Sequence, residues 1–139
     1  MKNSPKPSIV IDTNVWLSGL IFGGQPGRLI RMFAEGQLLV VISEELLTEL
    51  RRIINEKFPG YLSHLDLLED SIRQGAELVK LGSRKVAVSR DSDDNKVIET
   101  ALIGKCQYIV SGDNDLLVLR KHGGIKILKP VDFLRLFTM

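Results

Sequence analysis

Cysteine is almost absent: Cys106 stands alone among 139 residues. One thiol cannot close an intrachain disulfide, so a reducing cytoplasm is the expected setting. Histidine is nearly as scarce, and His64 and His122 fall near expected turns with no spacing that suggests a metal ligand or a catalytic pair. No apolar run approaches the roughly 20 residues of a membrane span, and Lys2 to Pro7 lacks the apolar centre of a secretion signal. No repeat or low-complexity tract is visible. An excess of one charge is missing too, since 19 basic and 17 acidic residues leave a net charge of +2. That balance alone does not indicate a nucleic-acid partner. Arrangement matters more, because acids gathered at one site leave the remaining surface more basic and able to hold phosphates.

What is present has the length of one domain, with 44% hydrophobic and 26% charged residues, the balance of a globular protein with a real core. Residues 1–7 read as a flexible tail and residues 8–139 as a single domain. Ile9-Val10-Ile11 is an apolar, β-branched run of the kind buried on both faces of a parallel sheet, and it stops at Asp12. A short helix through Val15, Trp16, Leu17, Leu20 and Ile21 comes next, closed by Gly23-Gly24. Pro26 fits the first turn of a second helix carrying Leu29, Ile30 and Phe33. Leu38 to Ile42 reads as a strand, and Ser43 as the N-cap of a helix with Leu46, Leu47, Leu50, Ile53 and Ile54 on its core stripe. Glu49 falls at the margin of that stripe, four residues after Glu45. Leu62, Leu65, Leu68 and Ile72 mark another helix, and Ala76 to Leu81 a short strand or edge.

The acid-rich loop Asp91-Ser92-Asp93-Asp94-Asn95 leads into a helix from Lys96 to Ile103, with Val97, Ile98, Ala101 and Leu102 toward the core. Tyr108-Ile109-Val110 is a strand that ends in Ser111-Gly112-Asp113-Asn114-Asp115. Leu116, Leu117 and Leu119 begin a short helix halted at Gly123-Gly124. Ile125 to Leu128 is a last strand, and Pro130 opens a terminal helix through Phe133, Leu134 and Phe137. Strands alternating with helices across short loops predict a three-layer α/β/α sandwich with a mainly parallel sheet of about five strands.

Four acids stand out: Asp12, Glu49, Asp94 and Asp113, with Asp115 beside the last. In open α/β sheets the carboxyl ends of the strands share one edge, where ligands bind, so acids distant in sequence can converge there. Converging carboxylates repel, and they then either protonate in part or hold a cation. Oxygen donors of this kind suit Mg²⁺ or Mn²⁺, one ion or two. Taken singly, each acid has an ordinary account. Asp12 with Asn14 can shape a turn or cap a helix, Glu49 can be a solvated helix residue, and a plain N-cap accounts for Asp94 or Asp113.

Val10-Ile11-Asp12-Thr13-Asn14-Val15, Glu49 within Leu46-Leu47-Thr48-Glu49-Leu50, Asp91 to Asn95, and Tyr108 to Leu116 together resemble PIN-domain ribonucleases in order and spacing. The likeness spans Ser8 to Phe137 and is nearest to the toxin component of prokaryotic toxin–antitoxin (VapC-like) pairs. The resemblance implies a cytoplasmic Mg²⁺- or Mn²⁺-dependent endoribonuclease with Asp12, Glu49, Asp94 and Asp113 as its acidic quartet and metal ligands. It implies supporting roles for Thr13, Asn14, Asp93, Ser111 and Asp115 in orienting the carboxylates or the water. It also implies an RNA substrate, a cognate antitoxin and a homodimer, with no membrane partner. Ser92 stands where the family often has proline, which leaves open whether Asp93 or Asp94 points inward; helix spacing favours Asp94.

Arg28, Arg31, Lys57 and Lys96 are candidates for phosphate contact, and Trp16 or Phe22 for stacking on an unpaired base, although Trp16 equally suits the core or a dimer interface. Two other functions compete. A phosphotransfer domain also places Asp after a first strand. However, a dehalogenase-like enzyme needs a second Asp where this chain has Asn14, and a receiver needs acids at strand ends where this chain has Ser43. A non-catalytic module that binds RNA or protein has no need of clustered, repelling acids.

Overall fold

The computed structural model describes residues 6–82 and 92–137. Asp91 and most of the expected tail therefore lie outside the described residues, as does the side chain of Asp93. The chain begins with β1 (Ser8–Ile11), whose Ile9, Val10 and Ile11 are buried, as their unbroken apolar run requires. α1 (Thr13–Ile21) and α2 (Gly24–Ala34) pack closely on each other before β2 (Leu39–Ser43). Gly19 makes that approach possible, because a Cβ there would stand 2.9 Å from the backbone of Pro26.

α3 (Glu44–Lys57) is capped by Ser43, whose Oγ accepts the Leu46 amide at 3.2 Å. A 3₁₀ turn at Pro59–Tyr61 leads to α4 (Leu62–Gly75) and then to β3 (Glu77–Val79). α5 (Ser92–Ile103) and β4 (Tyr108–Val110) come after it. The chain closes with α6 (Asn114–Leu117), β5 (Lys121–His122), β6 (Ile125–Leu128) and α7 (Pro130–Phe137).

Among the described residues the sheet has six strands in the order β3-β2-β1-β4-β6-β5, parallel except for β5. The expected count was about five. The sixth strand is the two-residue β5, paired antiparallel to β6 through a hairpin whose loop is Gly123-Gly124, both at positive φ (56° and 84°). Two residues at positive φ are the geometry of a tight type I′ connection, which glycine adopts without steric cost. Those glycines do more than stop a helix; they turn a strand.

Strand order reverses at β1: the chain moves outward to β2 and β3, then returns to lay β4 and β6 on the other side. Right-handed crossovers therefore place α1 to α4 on one face of the sheet and α5 on the opposite face, where α5 packs on β1, β2 and β4. The crevice at the carboxyl ends of β1 and β4 is the topological switch point, the usual ligand position in open α/β sheets.

Two expectations about α5 are corrected, its start and the placement of Leu102, which is exposed and does not face the core. α5 begins at Ser92 and not at Lys96, so Asp94 sits inside the first turn and is not an N-cap. α2 begins at Gly24, so Pro26 lies in its first turn as expected, where proline is tolerated. No helix among the described residues is long and apolar enough to cross a membrane.

Candidate functional site

Strand register determines which side chains meet at the switch point. Ile11 stands beside Val110 in the β1–β4 ladder, and the Asp12 amide donates to the Val110 carbonyl at 2.9 Å. One residue further on, Asp12 and Ser111 are therefore neighbours across adjacent strands. The Ser111 hydroxyl donates to Asp12 Oδ2 at 2.7 Å and accepts the Asp113 amide at 2.9 Å. Asp12 and Ser111 are both buried, so this bond is shielded from water and charge-assisted. Asp12 occupies the N-cap position of α1, yet its side chain makes no capping bond. The ordinary capping account of Asp12 does not hold, and its carboxylate is oriented from β4 instead.

Asp113 does cap a helix: its Oδ1 accepts the Asp115 amide at 2.8 Å at the start of α6. That bond turns the loop so that Asp113 and Asp115 come together. Carboxylate oxygens of Asp94, Asp113 and Asp115 lie within 4.8 Å of one another, with Asp94 buried and the other two half-buried. Asp94 arrives from the first turn of α5 on the far face of the sheet, so the cluster joins two layers. Oxygen-only donors, partly open to solvent, are the set that suits a hard divalent cation keeping several waters. Thr13 fits the same reading: its Oγ1 is buried with no hydrogen-bond partner among the described residues, beside Asp12 in the chain. Glu49 is half-buried on α3 and its Oε2 is shielded from solvent.

The other expected residues scatter. Asn14 is exposed, as are Arg28 and Arg31 on α2. Lys57 is the last residue of α3, about 12 Å of helix rise beyond Glu49. Lys96 is half-buried, two residues past Asp94. Trp16 is not available for stacking on RNA, because it is 1% exposed and packs edge-on against Phe33 with ring centroids 5.9 Å apart. Its position on the inward face of α1 makes it a core residue. Phe22 is 77% exposed.

A separate groove of about 480 Å³ between α3 and α4 is lined by Leu47, Arg51, Leu62, Glu69 and Arg73 among others, and contains none of the clustered acids. Glu69 accepts from Arg51 at 2.8 Å and from Arg73 at 3.0 Å, while Arg73 also grips Glu44 through two bonds. The Arg51 bond holds the Glu69 carboxyl below its usual value, and the Arg73 bonds do the same for Glu44. This is a staple between helices, with its charges already paired.

One buried polar pair escaped sequence reading. Thr100 and Ser43 are each 0% exposed, and their hydroxyl oxygens are 3.1 Å apart. Thr100 also bonds the Lys96 carbonyl at 2.7 Å. The one signal in the chain was Thr100 three residues after Val97, on the inward face of its helix.

Comparison with known proteins bears on this edge of the sheet. No curated protein matches the chain. Among solved structures, a chain of VapBC2 from Rickettsia felis, determined bound to a DNA fragment from their promoter, is similar with a TM-score of 0.58 and 9% identity. The match covers 86% of this chain and 96% of that one, and at so low an identity it is a likeness of fold. A sequence model of the PIN domain matches residues 8–115, from β1 through the Asp113–Asp115 turn. That span is well over half of the chain and contains every acid of the switch-point edge: the chain belongs to the PIN domain family.

Proposed function

We propose that this protein is a Mg²⁺- or Mn²⁺-dependent endoribonuclease, and that Asp12, Glu49, Asp94 and Asp113 form its catalytic quartet with Asp115 assisting. The observation that carries the reading is the convergence of Asp94, Asp113 and Asp115 within 4.8 Å at the switch point, beside an Asp12 whose carboxylate is held from the neighbouring strand. Carboxylates so close repel one another, and a bound cation offsets that repulsion. Asp94, Asp113 and Asp115 would hold the ion, with Asp12 and Glu49 completing the donor set. A bound Mg²⁺ or Mn²⁺ lowers the pKa of its water and offsets charge on a phosphodiester.

The chain's own residues supply orientation. Ser111 fixes one oxygen of Asp12 and, through the Asp113 amide, the path of the next loop. Thr13, the residue after Asp12 in the chain, has a buried Oγ1 with no hydrogen-bond partner among the described residues, suited to hold a water or a phosphate oxygen. Cleavage at phosphorus in this arrangement leaves a 3′-hydroxyl and a 5′-phosphate. Arg28, Arg31 and Lys96 are the basic residues we assign to the RNA backbone. The likeness to a VapBC2 chain is in keeping with a toxin restrained by a partner protein, and the same proposal takes it to be a cytoplasmic homodimer.

The test compares wild type with Asp12→Asn and Asp94→Asn on a mixed-sequence RNA, with Mn²⁺ or EDTA. Cleavage requiring the metal and falling roughly 100-fold in either variant is the expected result. Equal cleavage by all three proteins marks a contaminating nuclease. No cleavage together with no Mn²⁺ binding leaves a non-catalytic binding module. Growth arrest on expression, relieved by the small protein encoded next to it, tests the toxin role separately.

A further inference from the structure

Glu49 and Asp94, both assigned to the metal centre in the reading above, lie on different helices, α3 and α5. What fixes the spacing between those helices is not the sheet alone. Ser43, the last residue of β2 and the N-cap of α3, meets Thr100 of α5 at the seam on the sheet's carboxyl edge where α3 and α5 touch, and both are 0% exposed. The Leu46 amide donates to Ser43 Oγ at 3.2 Å, the two hydroxyl oxygens are 3.1 Å apart, and Thr100 donates to the Lys96 carbonyl at 2.7 Å. Thr100 has one hydroxyl hydrogen, and the shorter bond claims it. Ser43 must then donate across the seam, so the chain runs in one direction from an α3 amide to an α5 carbonyl. Such a chain has no slack, because replacing a member by an alkyl group orphans a buried neighbour.

Apolar contacts tolerate a small slide of one helix past another, whereas a hydrogen bond weakens steeply with distance and angle. The buried pair therefore sets a register that leucines would leave loose. A second bridge spans the same seam on its outer side. Glu45 Oε1 accepts the Leu81 amide at 3.3 Å, and Glu99 Oε2 accepts the Gly82 amide at 3.1 Å. Consecutive amides of the segment after β3 thus join α3 to α5 two residues beyond Ser43 and one residue before Thr100. The outer bridge is part-buried at Glu45 and exposed at Glu99, whereas the inner one is shut off from water.

We infer that Thr100, through its hydrogen bond to Ser43, is a positioning residue for the candidate metal centre, setting the distance of Glu49 on α3 from Asp94 on α5. Its consequence at the cation rests on the metal-centre reading proposed above; its consequence for helix spacing does not. Thr100→Val keeps the shape and removes the bond, while Thr100→Ser restores a hydroxyl.

Two measurements decide. Mn²⁺ binding to the RNA-free protein, followed by electron paramagnetic resonance, is expected to weaken about 10-fold in Thr100→Val and to recover in Thr100→Ser. Spin labels at Thr48→Cys and Leu102→Cys, both exposed positions, are expected to give a narrow α3–α5 distance distribution in wild type and Thr100→Ser. In Thr100→Val the distribution broadens or shifts, in samples whose cooperative thermal unfolding shows them folded. An unchanged distribution overturns the inference, as does unchanged Mn²⁺ affinity with a changed distribution. Wild type that binds no Mn²⁺ refutes the metal reading instead, and the label distances then decide the positioning alone. If Thr100→Val does not fold, Thr100→Ser beside Ser43→Ala carries both measurements.

Discussion

Removing the Ser111 hydroxyl is the most direct way to test the geometry of the switch point. Ser111→Ala deletes two bonds at once: the one it donates to Asp12 Oδ2 at 2.7 Å and the one it accepts from the Asp113 amide at 2.9 Å. A bond to a charged group contributes about 1.5–3 kcal/mol and a neutral one about 0.5–1.5 kcal/mol. The sum is an upper bound, because the two share one oxygen and such terms do not add. A loss of about 2–3 kcal/mol of unfolding free energy is expected, or a fall of roughly 10 °C in Tm for a domain of this length. The lone tryptophan provides the signal: Trp16 is 1% exposed, so its emission shifts on unfolding in urea. Measurements belong in EDTA, so that no ion contributes. A cycle with Asp12→Ala isolates the pair, and a coupling of about 1–2 kcal/mol is expected between the two sites. A loss below about 0.5 kcal/mol, the range of ordinary surface substitutions, or a coupling near zero, refutes the claim that Ser111 holds Asp12.

Two further outcomes rest on the packing and the charges. Gly19→Ala adds a Cβ 2.6 Å from Ile30 Cδ1 and 2.9 Å from the Pro26 carbonyl. The gain in helix propensity of about 1 kcal/mol is then exceeded by overpacking of about 1–3 kcal/mol, so urea unfolding should show a net loss; stabilisation refutes the close α1–α2 crossing. The arginine staple has a pH signature. Glu44 and Glu69 are held below their ordinary value of 4.5 by Arg73 and Arg51, so the unfolded chain takes up protons first as the medium is acidified. Their stabilisation is present above pH 4.5 and is lost as pH falls through the lower folded values. Because the pairs are largely solvated, the effect is small. Urea midpoints measured downward from pH 6 should fall less steeply in Arg73→Gln than in wild type, and parallel curves refute the assignment.

Much of the architecture was legible in the chain because it is written in local patterns. Ile9-Val10-Ile11 had to be a strand buried on both faces, the Leu46-Leu47-Leu50-Ile53-Ile54 stripe had to face a core, and Ser43 had to cap the helix that carries that stripe. The strand and the cap are seen, and the stripe is buried except for Ile53, which is half-buried at its margin. The two-residue strand at Lys121–His122 was written there too, in Gly123-Gly124, but a glycine pair stops a helix and turns a hairpin equally well. Only pairing with β6 distinguishes the two. Asp94 shows a different limit. Helix starts depend on which backbone groups find partners, and α5 starts early enough to carry Asp94 inward from its first turn. Trp16 could be a stacking platform or a core residue on pattern alone, and contact with Phe33 makes it core.

Local pattern in the chain was enough to set the alternation of strands and helices, the strand-end positions of Asp12 and Asp113, and the inventory of oxygen donors, because side-chain periodicity and turn chemistry act over a few residues. Packing of whole elements settled which of those donors meet. β1–β4 register set Asp12 against Ser111, and the reversal of strand order brought α5 across the sheet with Asp94 toward Asp113 and Asp115. It alone joined Ser43 to Thr100, which lie 57 positions apart in the chain. Contacts at that separation are set by how whole elements stack, and no local pattern encodes them.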